Sequence, residues 1–479
     1  MSVIILLCLP LLAAVVSCLP WPRLAAGFTI LSCLAVLAVG VEIAWQVVGS
    51  GPVITAQNWI AVDGLSALVL LLIAFVGTTA ALFSWGYMSA NSHGSKRLRL
   101  YYANYNLFIF SMLAIPVLVE PTLVWIVVEL TTLCSALLVC FENTREALEA
   151  AWKYVVLSLM GAAVALLGFL MLFASLQAAG GGTYTWEGLA AAAPKMPLIL
   201  LQTSFLLILV GLGTKVGLVP MHTWLPDAHS QAPSPVCALL SGVETTAVLS
   251  VILRLFPVIK AAPGAHAEEW LMVFGLISVG VAAFLLLQVR DYKRMFAFST
   301  VEHMGIILLA VGLGTSGAHY GALYQVLSHT LTKSFCFFAA GAALLITDTR
   351  EIASVRGLIR LSPVSGAGLL FGGLAIAGAP PFAVFLSEFS IFRAGLAGGH
   401  YLVTGLLVLF IAVGFLGILF HINRMVFGES NPGSPRPLRL PVSCTAALCV
   451  SALLVIVLGL YMPEPLHQLL RLGALALER

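Results

Sequence analysis

The sequence predicts an all-α polytopic membrane protein with about 14 transmembrane helices. Three observations carry this. Charged residues make up 9% of 479 residues, where soluble domains run near ~25%. The apolar share is 61%, not counting 43 glycines. The apolar residues also lie in long continuous runs rather than in alternation, and in a bilayer such runs are helices, since each span must satisfy its own backbone. So few charges cannot build a wetted surface, which excludes a soluble enzyme, a nucleic-acid binder and a disordered chain. The net charge of +3 implies no polyanionic partner.

A span needs about 20 apolar residues. Runs bounded by charge, Gly or Pro fall at 2–19, 24–48, 61–88, 101–119, 121–141, 148–178, 197–219, 234–255, 268–288, 294–314, 320–345, 364–397, 400–428 and 440–461. The first lacks a basic segment before it, and Arg23 follows it. It therefore reads as a transmembrane helix and not as a cleaved leader. Placing the N-terminus outside puts fifteen of the 23 basic residues on the inner side, Arg97, Arg294, Arg356 and Arg436 among them. Six, including Lys195, Arg254 and Arg479, fall outside. The positive-inside rule then gives both termini on the outer face. Lys215 and Lys333 are the two basic residues left within spans.

Two runs are interrupted. In the seventh, Gly211, Gly213, Gly217 and Pro220 surround Lys215; in the twelfth, Gly378, Pro380 and Pro381 break an apolar stretch. Proline removes a backbone donor and clashes with the preceding turn. Broken helices persist in membranes where they line a cavity or pack on protein, and matching breaks in two halves mark repeated transporter architecture. Ordinary proline kinks are the plainer reading of either break alone.

A charge at the bilayer centre costs about 2.5–3.5 kcal/mol on insertion scales. The apolar runs nevertheless hold Glu129, Lys215, Glu244, Glu302, His303, His329, Lys333 and Glu388. His329 and Lys333 are spaced i,i+4 and share a helix face. Acids and bases in alternation can pass protons, because the proton affinity of each depends on the charge of its neighbours. Each also has a plainer role. Glu129 and Lys215 would serve as a static ion pair, Lys333 as a packed lysine, and the histidines as helix–helix hydrogen bonders. Glu244 would be satisfied by Thr245 and Thr246, and Glu302 by polar groups of the protein. There is no potassium-channel filter, no Arg-rich voltage sensor and no Walker A motif, so the chain neither forms a familiar pore nor burns ATP itself. Nine scattered cysteines with no CxxC spacing give no expectation of a metal, a cofactor or an own redox centre.

Four stretches carry a family resemblance. They are GTKVGLVPMHTWLPDAHSQAPSP from Gly213 to Pro235, DYKRMFAFSTVEHMG from Asp291 to Gly305, SHTLTKS from Ser328 to Ser334, and APPFAVFLSEF from Ala379 to Phe389. Over residues 60 to 430 the chain resembles the proton-conducting antiporter-like membrane subunits of respiratory complex I, group 4 hydrogenases and multisubunit sodium/proton antiporters. The second and third stretches look most like the hydrogenase-4 component F type, with the complex I chain M type close behind. The resemblance implies one membrane domain over 1–479. It comprises helices 1–3 (1–100), inverted five-helix repeats over helices 4–8 (101–255) and 9–13 (268–428), and helix 14 (440–461). Helices 7 and 12 are the broken ones.

By resemblance, Glu129 and Lys215 form the pair of the first repeat, with Lys153 near it. Lys333 is the central lysine, His303 and His329 are relay positions, and Glu388 is the acid that opens outward. Where many relatives carry a Lys or His in helix 8, this chain has Thr246. Glu244 stands two residues earlier, roughly 200° around the helix at about 100° per residue, and either replaces that link or leaves it altered. The long lateral helix of the complex I chain L type is not expected. The expected function is proton translocation within a redox-driven hydrogenase-4-like or NADH dehydrogenase-like complex in a bacterial inner membrane. The expected partners are other membrane subunits, membrane lipid and a peripheral arm of Fe–S proteins, nickel–iron hydrogenase-like or complex I-like. A sodium/proton antiporter subunit and a structural subunit with a silent axis are the alternatives.

Overall fold

The structure is a computed structural model that describes residues 1–90, 94–429 and 439–478. The topology charges Arg436 and Arg479 lie outside the described residues. Twelve described stretches are long and apolar enough to cross a membrane, and Ser2–Ser17 and Pro363–Ile376 are shorter apolar helices.

The N-terminal helices are α1 (Ser2–Ser17), α2 (Pro22–Ser50) and α3 (Gly64–Ala90). Between α2 and α3 a small antiparallel hairpin joins β1 (Val53–Thr55) to β2 (Ile60–Val62), with Val53 opposite Val62. The apolar run from residue 61 had been expected to be helical throughout. It starts as strand because Asp63 caps α3, its Oδ1 accepting from Ser66 N at 2.9 Å. Then come α4 (Ser95–Ala114), α5 (Pro121–Val139), α6 (Arg145–Ala178), the surface helix α7 (Trp186–Ala192), α8 (Leu198–Val216) and α9 (Trp224–Gln231). A largely buried stretch, Ser234–Lys260, follows as α10 (Ser234–Leu239), a π-helical turn (Leu240–Glu244) and α11 (Thr245–Lys260). The second half comprises α12 (Ala267–Gln288), α13 (Tyr292–Gly312), α14 (Ser316–Thr347), α15 (Leu358–Leu361), α16 (Pro363–Ile376), α17 (Ala383–Ala397) and α18 (Tyr401–Phe427). Last are α19 (Val442–Leu460) and α20 (Glu464–Ala476), which packs on α3 and α14.

Both expected breaks are present. α8 stops at Val216 because Gly217 takes φ +89°, a conformation a side chain resists. The chain resumes after Pro220, whose peptide is cis, as is that of Pro381. Trp224 fills the gap and donates from its indole nitrogen to Thr214 O at 2.7 Å. Close helix approach depends on glycine elsewhere: a Cβ on Gly161 would meet Gly211 O at 2.7 Å, where α6 crosses α8.

Arg254 does more than set topology. From α11 it grips Asp63 with two bonds of 2.7 and 3.0 Å and reaches Ser66 Oγ at 2.5 Å. Burial pushes the Asp63 carboxyl up, but the charge and hydrogen bonds of Arg254 outweigh that and hold it below its ordinary value. The pair therefore stabilises the fold at neutral pH, and that contribution fades as pH falls through the lowered value. Arg254→Met is expected to cost about 2–3 kcal/mol, less than the ~3–5 kcal/mol of a fully buried pair. Thermal denaturation in detergent checks this, with the gap to wild type narrowing in acid.

Candidate functional site

The first polar cluster is built by four elements. α5 turns Glu129, Thr132 and Ser135 along one side, since residues three apart share a helix face. α6 supplies Tyr154, the last turn of α8 supplies Lys215, and the π-helical turn supplies Glu244. A cation in the last turn of a helix also meets the negative end of its dipole. Lys215 Nζ lies 3.2 Å from Glu244 Oε1, and both side chains are almost completely buried. Lys215 also donates to Thr132 Oγ1, and its Nζ lies 3.5 Å from the Tyr154 hydroxyl. Tyr154 donates to Glu244 Oε1 at 3.2 Å and Ser135 Oγ does so at 3.4 Å. Glu244 Oε2 is buried with no hydrogen-bond partner among the described residues.

This corrects the expected pairing. Lys215 is bonded to Glu244, not to Glu129. Glu129 is only partly buried, and its Oε2 has no partner among the described residues. The physical reason is the π-helical turn, which sets the phase of the buried helix so that Glu244 faces α6 and α8. Lys153 is also placed elsewhere. Tyr154 takes the inward position, and Lys153, about 100° around the helix, points out. It is 40% exposed and pairs with Glu149 at 2.8 Å and Asp227 at 3.2 Å. Asp227 in turn holds Arg294 at 2.7 Å, so Lys153 belongs to a charged knot at the end of α6.

The second cluster lies between α13, α14, α16 and α17. Lys333 is fully buried and donates to Phe296 O at 2.5 Å and to Ser299 Oγ. One turn earlier, His329 faces His303 with ring centroids 5.1 Å apart. His303 Nε2 lies 3.0 Å from Ile376 O, a carbonyl released by the break after α16. Its Nδ1 lies 2.9 Å from Gln325 Nε2, and the Gln325 carbonyl accepts from Ser387. Glu388 follows Ser387 and is buried. Its Oε2 occupies the space a Cβ on Gly378 would need, and Gly378 has φ +79°. Glu302, also buried, likewise fills the space over Gly414. Gly378→Ala is therefore expected to displace Glu388 and to strain the backbone there, which a lowered melting temperature in detergent checks.

Between the clusters stands the π-helical turn. A π-helical turn carries one residue more than an α-helical turn and loosens the local carbonyl ladder. Here Ser241 O lies 3.2 Å from His329 Nε2, and Gly242 O accepts from Thr330 Oγ1 at 2.9 Å. Ser241 Oγ pairs with Thr300 Oγ1 at 2.6 Å. Thr246, on the other side of the helix from Glu244, touches Thr330 Oγ1 at 3.2 Å. The position where a basic residue had been sought thus holds hydroxyls that join α11 to α14.

Among the expected residues, Lys215 and Glu244 come together, as do His303, His329 and Lys333, with Glu388 beside Ser387. Tyr154, Ser299, Thr300, Gln325 and Ser387 were not anticipated. Uncharged side chains in apolar runs give little signal, although Gln325 stands one turn before His329 and was visible by that spacing. Among the described residues no three His, Cys, Asp or Glu side chains gather as a metal site.

Residues 120–414 match the NADH:quinone oxidoreductase/Mrp antiporter transmembrane family, and residues 54–97 match the N-terminal region of complex I chain 5. A hydrogenase-4 component F homolog of Methylacidiphilum infernorum is 39% identical over 84% of this chain and 85% of its own length. The NADH-quinone oxidoreductase subunit N of Desulforudis audaxviator is 28% identical over 91% of this chain and 90% of its own. In fold, a chain of the Mrp complex from Dietzia sp. DQ12-45-1b superposes with a TM-score of 0.89 at 19% identity, covering 100% of this chain and 97% of that one.

Proposed function

The chain belongs to the NADH:quinone oxidoreductase/Mrp antiporter transmembrane family, and from that membership we propose that it is the proton-translocating membrane subunit of a redox-driven, hydrogenase-4-like complex. The observation that carries this is the buried Lys215–Glu244 pair at 3.2 Å, facing a second buried cluster around Lys333 across one π-helical turn. An apolar chain retains such groups when they are paired or used.

The pair holds a proton on Lys215 while Glu244 stays close. A change of charge in a partner subunit that draws Glu244 away leaves the ammonium uncompensated in a low dielectric, and it sheds its proton. Hydroxyls at Ser241, Thr300 and Thr330 line the crossing between the halves. His329, His303 and Lys333 receive the proton, and Glu388 releases it outward. Glu129 sits at the outer flank of the first cluster and adjusts the pair by its charge. In this reading Glu244 stands in for the basic residue of helix 8: its carboxylate takes the proton that Lys215 sheds and passes it on to the hydroxyl crossing. Lys153 anchors α6 rather than carrying protons.

The relatives are subunits of larger assemblies by their names, which supports other membrane subunits as partners. A peripheral arm of Fe–S proteins, nickel–iron hydrogenase-like or complex I-like, would supply the driving reaction. The location proposed is a bacterial inner membrane with both termini on the outer face. The test is a pH-sensitive dye in proteoliposomes carrying the assembled complex in sodium-free medium. Electron flow is expected to build a pH gradient that a protonophore collapses. A gradient that forms only when sodium is added would instead assign the antiporter role.

A further inference from the structure

Two backbone carbonyls determine where the buried histidines keep their hydrogens. A carbonyl oxygen only accepts, so the ring nitrogen facing it carries the N–H. For His303 that is Nε2, which donates to Ile376 O at 3.0 Å. In the neutral ring Nδ1 is then the acceptor. It lies 2.9 Å from Gln325 Nε2, so the amide NH2 donates to it. The amide oxygen is left to accept from the Ser387 hydroxyl. His329 has the same tautomer, with Nε2 donating to Ser241 O at 3.2 Å, but its Nδ1 is buried with no partner among the described residues. The two rings, 5.1 Å apart, therefore differ. His329 offers an open lone pair. The lone pair of His303 is already covered by a donor.

Building on the translocation reading above, we propose that Gln325 is a positioning residue for proton transfer: its amide turns over when His303 takes a proton at Nδ1. A protonated ring presents N–H at both nitrogens, and an N–H facing an NH2 group is repulsive. After the turn, Gln325 Oε1 accepts from His303 Nδ1–H, and the amide NH2 donates to Ser387 Oγ. The Ser387 hydrogen then moves to Val384 O or Ala383 O, which lie 2.9 and 3.2 Å from Ser387 Oγ. In both states His303 Nδ1, the two Gln325 amide atoms and Ser387 Oγ each keep a partner. A satisfied buried network with two arrangements is a bistable element. The proton comes from the axis and leaves by the same nitrogen, so no co-reactant is needed.

The groups that face this switch are His329 and Lys333 on α14, Glu302 on the same helix as His303, and Glu388 on α17. Ser387 directly precedes Glu388 in α17, so the amide turn changes the hydrogen-bonding of the helix turn that carries the outward acid.

The experiment is infrared difference spectroscopy of the purified assembled complex between high and low pH, with glutamine labelled by 13C at the side-chain carbonyl. A label-sensitive amide band is expected to shift in step with a histidine titration, to survive His329→Asn, and to vanish in both His303→Asn and Gln325→Met. In parallel, Gln325→Glu, which keeps the shape and as a carboxylate only accepts, is expected to hold the His303 proton and slow translocation about 10-fold or more. An amide band that stays still while His303 titrates overturns the proposal. So does wild-type translocation by Gln325→Glu. A wild-type complex with the amide shift but no proton translocation would refute the translocation reading and leave the amide switch standing.

Discussion

Lys333→Met is expected to abolish proton translocation while leaving the fold as stable as before, or more so. Lys333 has no carboxylate within ion-pair distance among the described residues, and its ammonium rests on Phe296 O and Ser299 Oγ. An ammonium in that setting is maintained against a desolvation penalty of several kcal/mol. Methionine has nearly the same length and no charge. Its removal of the ammonium strands nothing, because Ser299 Oγ already donates to Phe296 O at 3.1 Å. Flux should fall about 100-fold or more, the scale at which a proton-transfer group acts, with the melting temperature unchanged or raised. A structural lysine would give the opposite signature, with lower stability and flux preserved in whatever complex assembles.

Glu244→Gln is expected to be the most damaging change in the first cluster, and to exceed Glu129→Gln. Glutamine leaves Lys215 buried with a neutral partner, and breaking a buried pair from one side costs about 3–5 kcal/mol. Part of that is relieved by Lys215 losing its proton, which removes the stored proton from the axis. Flux should drop about 100-fold. For Glu129, partly buried and without the direct bond, a loss of about 10-fold is expected. Adding Lys215→Met to Glu244→Gln should recover stability but not flux, because a double replacement removes the stranded charge and not the missing function. Equal losses for Glu129 and Glu244 would restore the pairing expected from resemblance.

The fold class, twelve of the expected spans and both helix breaks were legible because each depends on local composition: long apolar runs, and Gly217, Pro220, Pro380 and Pro381 within them. The polar residues of the axis were legible for the same reason, since a charge in an apolar run stands out. Their pairing was not. Glu129 and Glu244 are both acids on helices beside Lys215, and a π-helical turn in Leu-Ser-Gly-Val-Glu decides between them with no mark in the sequence. Lys153 was misplaced by a single residue of helix phase, where Tyr154 faces inward. Arg254 was read only as a topology charge and Asp63 was passed over, because their contact joins segments 191 positions apart. Gln325 was marked only by its spacing one turn before His329, and Ser387 by nothing, until His303 was seen against Ile376 O.

The central claim is that Glu244 exchanges a proton during turnover as the partner of Lys215. Time-resolved infrared difference spectroscopy of the assembled complex, with the driving reaction triggered, tests it directly. The account predicts a protonated-carboxyl band that appears and decays with turnover in wild type and is missing in Glu244→Gln. A turnover spectrum whose carboxyl bands are unchanged by Glu244→Gln would contradict it.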